Sequence, residues 1–294
     1  MVSRWHDLIG LVAFLVLAAL AGATIAWPLW WFTDLPWDKV LSRSVLLCAA
    51  LLVWPLLRYL SLDANRVFGR GWSWRVFIRY WLIGLILIAP PAMVFLLTGF
   101  RVFDHTWHEE LDGLAAALVG GLFAGVLAAM LEETVFRGVF FLALHRVANF
   151  VVAATVSSAL YALCHFLRTD FDLATPGFFS GYEALGLALA PLASPALWWD
   201  SFVGLFLLGL LLCMVRVRTE SLLPCIALHA AWIFFLRAYK ELTGRDIQNP
   251  WAWLVGEHDN FTGIVVAGWL LVLIVIYLRS GRRASRAVPA PASQ

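Results

Sequence analysis

Leu131-Glu132-Glu133-Thr134-Val135-Phe136-Arg137-Gly138 sets two acids and a base inside an apolar stretch. Its flanks, Leu114 to Met130 and Val139 to Leu144, are made of residues that hydrocarbon prefers. A backbone in hydrocarbon must satisfy its own hydrogen bonds, and a helix does so within one segment. The stretch therefore predicts a transmembrane helix, and the chain around it an all-α, polytopic helical bundle. An ionised side chain at mid-span costs about 3 kcal/mol on insertion scales and is normally there for a function.

Beyond this stretch the chain keeps the same character. Of its 294 residues, 62% are hydrophobic and 14% charged, against about 45–50% and about 25% in soluble domains. A net charge of +2, with no basic patch interleaved with aromatics, argues against nucleic acid as a partner. A span needs about 20 mostly apolar residues. That rule predicts about eight spans, near 8–32, 44–60, 76–99, 113–144, 148–167, 196–215, 221–239 and 262–279. The fourth is longer than a bilayer requires, so it is tilted or continues beyond the membrane. The apolar segment 182–195, with Pro191 and Pro195, is short. It reads as re-entrant or as an extension of the sixth span.

Loop charge orients the bundle. Arg58, Arg66, Arg70, Arg75 and Arg79 flank spans two and three. Arg216 and Arg218 follow span six, and Arg279, Arg282, Arg283 and Arg286 follow span eight. The alternate loops carry Asp34 and Asp38, then Asp104, Glu109, Glu110 and Asp112, then Asp170, Asp172 and Glu183. The positive-inside rule then puts both termini in the cytoplasm, in agreement with an even span count. Tryptophans such as Trp27, Trp30, Trp31 and Trp37 fit interfacial belts. Leu8 to Phe32 is too long for a signal-peptide core of about 7–15 residues, so it reads as a retained span. Cys48, Cys164, Cys213 and Cys225 lie in apolar runs with no CxxC pair, and read as small core residues. Ser280 to Gln294, rich in Arg, Ala, Pro and Ser, reads as a disordered tail.

On a helix, residues four apart share a face and adjacent ones do not. Glu133 and Arg137 can therefore pair, while Glu132 points elsewhere with no local partner. A carboxylate in a desolvated pocket is suited to be a general base. A purely structural ion-pair cluster is the competing reading. Of seven histidines, His6, His105, His108 and His258 fall near span ends or in loops, and His145 ends the fourth span beside Arg146. His165, in Tyr161-Ala-Leu-Cys-His165-Phe166, and His229, in Leu222-Leu-Pro-Cys-Ile-Ala-Leu-His229-Ala-Ala-Trp232, lie inside apolar helices. A lone intramembrane histidine usually just bonds a neighbouring helix. Two of them, in a chain that also buries Glu132, read as a site that activates water. Two chemistries fit. Histidines and a glutamate could hold a metal that acidifies bound water, with His165, His229 and Glu132 as the candidate ligands. Alternatively Glu132 takes a proton from water and the histidines stabilise the oxyanion. No HExxH motif is present. Cys225, four residues before His229, reads as core rather than as a ligand.

Glu132-Glu133-x-x-x-Arg137, then Tyr161-x-x-x-His165, then Phe206-Leu-Leu-Gly209, Thr219-Glu220-Ser221-Leu222 and His229-Ala230 resemble the CAAX prenyl protease and bacteriocin-processing family of intramembrane proteases, including Rce1-type enzymes. The resemblance covers about residues 115–235. It divides the chain into a three-span region (1–110), a protease-like core (111–240), and a last span with a tail (241–294). It implies an intramembrane endopeptidase acting on prenylated or membrane-embedded proteins or peptides, in a plasma membrane of bacterial inner-membrane type. It makes Glu132 the base, Glu133 and Arg137 its support, and His165 and His229 oxyanion donors or metal ligands. The family carries a metalloprotease label, and a metal-free glutamate mechanism is also proposed for it, so the implied cofactor is zinc or none. Two positions depart from the pattern. Ile233 stands where Asn is frequent, and Tyr161 where Phe is usual. The first keeps open a silent relative acting as a membrane scaffold or immunity protein; the Glu pair keeps open a proton-coupled transporter. Counted along the spans, Glu132 and His165 also sit at somewhat different depths.

Overall fold

The computed structural model describes residues 2–69, 71–104, 111–167, 173 and 175–286. Arg70, His105, His108, Glu109, Glu110, Asp170, Asp172 and the tail from residue 287 lie outside the described residues. The elements in order are α1 (Val2–Trp30), α2 (Trp37–Tyr59), α3 (Ala64–Phe68), α4 (Trp74–Leu97), β1 (Arg101–Phe103) and α5 (Leu111–Glu133). A π-helical turn (Thr134–Phe140) leads to α6 (Phe141–Val147), α7 (Phe150–Cys164) and α8 (Ser180–Ala188). After two short 3-10 turns come α9 (Trp199–Thr219), α10 (Leu223–Leu242), β2 (Thr243–Arg245) and α11 (Ile264–Arg286).

The protein is a polytopic helical membrane protein. Each of the eight expected spans coincides with a helix. Five are both long and apolar enough to cross a bilayer, α7 and Ile264–Ser280 of α11 are apolar but shorter, and α10 (Leu223–Leu242) is in neither group. The long fourth span is continuous from Gly113 to Val147. At 1.5 Å per residue it reaches about 50 Å, well beyond a hydrocarbon core of about 30 Å. Segment 182–195 is not an extension of the sixth span. It forms α8 and the 3-10 turns, and α8 lies on α1, where Gly181 closes on the Ala23 backbone and Tyr182 Oη bonds Thr24 Oγ1 at 2.7 Å. Proline explains the break, since Pro191 and Pro195 cannot donate a backbone hydrogen bond. At the other end, α11 runs six residues past Ser280, because arginine and alanine sustain a helix once the apolar run ends.

One apolar core joins α1, α2, α6 and α7, and a second joins α4, α9, α10 and α11. Small residues let helices approach closely. A Cβ on Gly209 of α9 would stand 2.7 Å from the Ser158 Cβ of α7. Pro91 in α4 offers no N–H to the carbonyl of Leu87, and Trp269 Nε1 of α11 donates to that carbonyl at 2.7 Å. The ribbon of β1 and β2 was not expected. It is antiparallel, with Val102 opposite Gly244. Buried Arg101 binds it together by donating to Thr243 Oγ1 at 2.9 Å, to the Thr243 carbonyl, and to the Asn260 carbonyl at 2.8 Å. Three-residue strands have no periodicity long enough to read.

Candidate active site

Glu132 and Glu133 end α5, and the π-helical turn follows at once. Such turns are frequent at functional sites. This one has a visible support. Ser157 of α7 donates its hydroxyl to the Phe136 carbonyl at 2.8 Å, which gives a partner to backbone displaced from the α pattern. Glu133 and Arg137 are both fully buried and pair at 2.9 Å. The Arg137 guanidinium also lies 4.2 Å from the centre of the Tyr161 ring, a cation–π contact worth about 2 kcal/mol when desolvated.

Two further helices, α7 and α10, converge on this pair. His229, in the second turn of α10, sets Nδ1 2.8 Å from Glu133 Oε1, the same oxygen that accepts from Arg137. An ionised carboxylate only accepts, so Nδ1–H donates. His165 caps the C-terminus of α7. Its Nδ1–H donates to the Tyr161 carbonyl at 2.8 Å. Both imidazoles thus present Nε2 toward Glu132. Glu132 Oε2 lies 3.8 Å from His229 Nε2 and 3.9 Å from His165 Nε2. The Tyr161 ring packs edge-on against both histidines, its centre 4.6 Å from His165 and 6.0 Å from His229. The expected depth mismatch between Glu132 and His165 is bridged to this distance.

Accessibility separates the two acids. The Glu132 and His165 side chains keep 26% and 29% exposure, whereas Glu133 and Arg137 have none. Among the described residues, Oε2 of each glutamate and Nε and Nη2 of Arg137 are buried without a hydrogen-bond partner. A cavity of about 140 Å³ reaches His165, His229 and Tyr161 between α4, α9, α10 and α11. Its walls are otherwise mostly apolar, from Leu87, Leu208, Trp232 and Val266, with Asp259 among them. Glu132 does not line it and meets it through the two Nε2 atoms.

Residues 114–235 match the family model described as type II CAAX prenyl endopeptidase Rce1-like. This segment of the chain is similar to that family. It contains Glu132, Glu133, Arg137, His165 and His229, and the family is one of membrane-embedded proteases that act on protein substrates. No curated protein and no solved structure matches the chain. Part of the cavity wall lies outside the Rce1-like segment, in α4 and α11. Ile233 lines the cavity one turn beyond His229, so the frequent Asn is replaced by an apolar wall at that point. A zinc site needs three or four donors about 2 Å from one point; the bond from His229 Nδ1–H to Glu133 leaves Nε2 of both histidines free, facing Glu132. Among the described residues no group of three or more His, Cys, Asp or Glu is arranged to hold a metal ion.

Sequence reasoning left three parts of this arrangement unread. The π turn and its Ser157 support depend on a residue 21 positions away. The bond from His229 to Glu133 joins residues 96 apart. Tyr161 stood out only as a departure from Phe, whereas its ring contacts Arg137 and both histidines.

Proposed function

We propose that the protein is an intramembrane endopeptidase of CAAX type in which Glu132 activates water for attack on a substrate peptide bond. One observation carries the reading: a single carboxylate oxygen, Glu132 Oε2, faces the Nε2 atoms of two histidines at 3.8 and 3.9 Å. Those separations are too long for direct hydrogen bonds and suit a water held between the groups. A water about 2.8 Å from both Oε2 and one Nε2 subtends roughly 90°, an angle that liquid-like hydrogen bonding tolerates.

Tautomers divide the labour. Neutral His165, with Nδ1–H held by the Tyr161 carbonyl, offers an Nε2 lone pair. It accepts one water hydrogen while Glu132 accepts the other, which leaves an oxygen lone pair to attack the carbonyl. Two carboxylates and one guanidinium leave one net negative charge, and a proton on His229 neutralises the cluster. Protonated His229 then donates Nε2–H to the developing oxyanion, with Nδ1–H anchored on Glu133. Glu132 passes the proton it has taken to the leaving amine as the tetrahedral intermediate collapses. Glu133 and Arg137 touch no reacting atom in this scheme and serve as positioning residues. The mostly apolar cavity beside the histidines suits a membrane-embedded or prenylated chain. Loop charge supports both termini in the cytoplasm.

The test uses purified protein in vesicles and a fluorogenic farnesylated peptide ending in a CAAX tetrapeptide. Wild type cleaves it. Glu132→Gln, which keeps shape and loses basicity, lowers the rate by about a thousandfold or more with an unchanged Tm. A Glu132→Gln protein that cleaves at the wild-type rate overturns the assignment.

A further inference from the structure

A second cleft, of about 480 Å³, opens between α3, α6 and the end of α9 and shares no lining residue with the histidine cavity. It is lined by Asn65, Arg66, His145, Arg216 and Glu220, over a floor from Phe141 and Leu142. Arg216 is the unusual member. It is only 5% exposed, and buried charges are normally paired. Its Nη2 donates to the backbone carbonyls of Arg66 at 2.7 Å and Val67 at 3.1 Å. Those bonds hold the guanidinium still without neutralising it. Its Nε is buried with no partner among the described residues, and no carboxylate of the described residues forms a salt bridge with it.

Around this fixed cation the cleft is built for an anion. Arg66 adds a second, exposed guanidinium at the rim, and Asn65 and His145 add donors. The one lining acid, Glu220, is exposed and leaves the cleft net positive. The backbone there is tightly constrained. A Cβ on Gly69, at φ +74°, would stand 2.1 Å from the Glu220 carbonyl oxygen, and Leu222 N–H bonds the Phe68 carbonyl at 3.1 Å. The Arg216 guanidinium and the backbone that carries Arg66 are therefore held in place in the absence of any ligand. Planar guanidinium groups match phosphate oxygens two at a time. This end of the bundle also bears the arginine-rich loops that face anionic headgroups under the positive-inside rule.

We propose that this cleft binds a phosphate-bearing anion, with Arg216 as its buried anchor and Arg66 as its rim contact. The chemistry is shared by an anionic phospholipid headgroup and by free phosphate, and the test separates the two. It does not depend on proteolysis. Thermal unfolding of the full chain in neutral detergent is followed against dihexanoyl-phosphatidylglycerol, the zwitterionic dihexanoyl-phosphatidylcholine, and inorganic phosphate, all at matched ionic strength. A saturable rise in Tm with phosphatidylglycerol, and none with phosphatidylcholine, is expected. A rise confined to the lipid assigns a headgroup, and an equal rise with phosphate assigns the free ion. Arg216 supports α3, so the diagnostic variant is the exposed Arg66→Glu. It is expected to leave the ligand-free Tm in place and to weaken the response by about tenfold or more. No saturable rise with either anion, or an Arg66→Glu protein that titrates like wild type, overturns the proposal.

Discussion

Adjacent residues with the same side chain have opposite environments at Glu132 and Glu133. Glu133 is fully buried and receives both Arg137 and His229 on one oxygen; Glu132 is partly exposed and faces only Nε2 atoms at longer range. In the proposed reaction the first arrangement is a support and the second is a place for a reacting proton. Glu133→Ala strands Arg137 in the interior, and breaking a buried pair in this way costs about 3–5 kcal/mol. Replacing both, as Glu133→Leu with Arg137→Met, removes the stranded charge and recovers much of that stability in denaturant unfolding. Cleavage stays lost in the double variant, because His229 no longer has its Nδ1 acceptor. Recovery of activity along with stability would show that the pair has no positioning role. The proposed metal-free role of Glu132 carries its own prediction. Cleavage persists after chelation and dialysis into metal-free buffer, with elemental analysis confirming the removal. Loss of rate that zinc restores would return the histidines to metal ligation.

Among the elements, α7 has the most exacting placement. It delivers Ser157 to the π turn and His165 to Glu132, and it lies against α9 through Gly209. A valine at 209 would press its Cβ to 2.7 Å from Ser158 Cβ and 3.0 Å from its Cα, so α7 must move. Gly209→Val therefore costs about 1–3 kcal/mol from overpacking and slows cleavage by more than that stability loss explains, since His165 and Ser157 shift with the helix. Comparing Tm with the initial rate at a temperature where the variant is fully folded checks this. A slower rate that tracks only the unfolded fraction would make α7 a passive wall. The positions of α7 and α9 were readable from apolar runs, and Phe206-Leu-Leu-Gly209 stood out as a motif. The reason for the glycine, a backbone approach at Ser158, was not readable, because it requires the partner helix.

Across the whole molecule the charge pattern and the bundle agree. Arginines gather at the ends of α2, α9 and α11, and the β1–β2 ribbon and the acidic loops occupy the alternate connections. A cysteine at exposed Gln248, beyond β2, is expected to react with a membrane-impermeant maleimide in intact cells, and one at exposed Ser280 only after lysis. The reverse pattern would invert the orientation. Helical class, the eight helical segments and the identity of the polar residues at depth were already present in the linear chain. Burial in hydrocarbon is a local cost that each segment of about 20 residues meets alone, so composition reveals it. The π turn, the β1–β2 ribbon, the placement of α8 and the approach of Glu132 to His165 and His229 came only with folding. Each depends on hydrogen bonds or close packing between residues distant along the chain, as between Glu133 and His229, 96 positions apart. No periodicity within one helix records which neighbour it meets, since helix contacts in a bilayer are chosen by shape and a few polar bonds rather than by hydrophobicity.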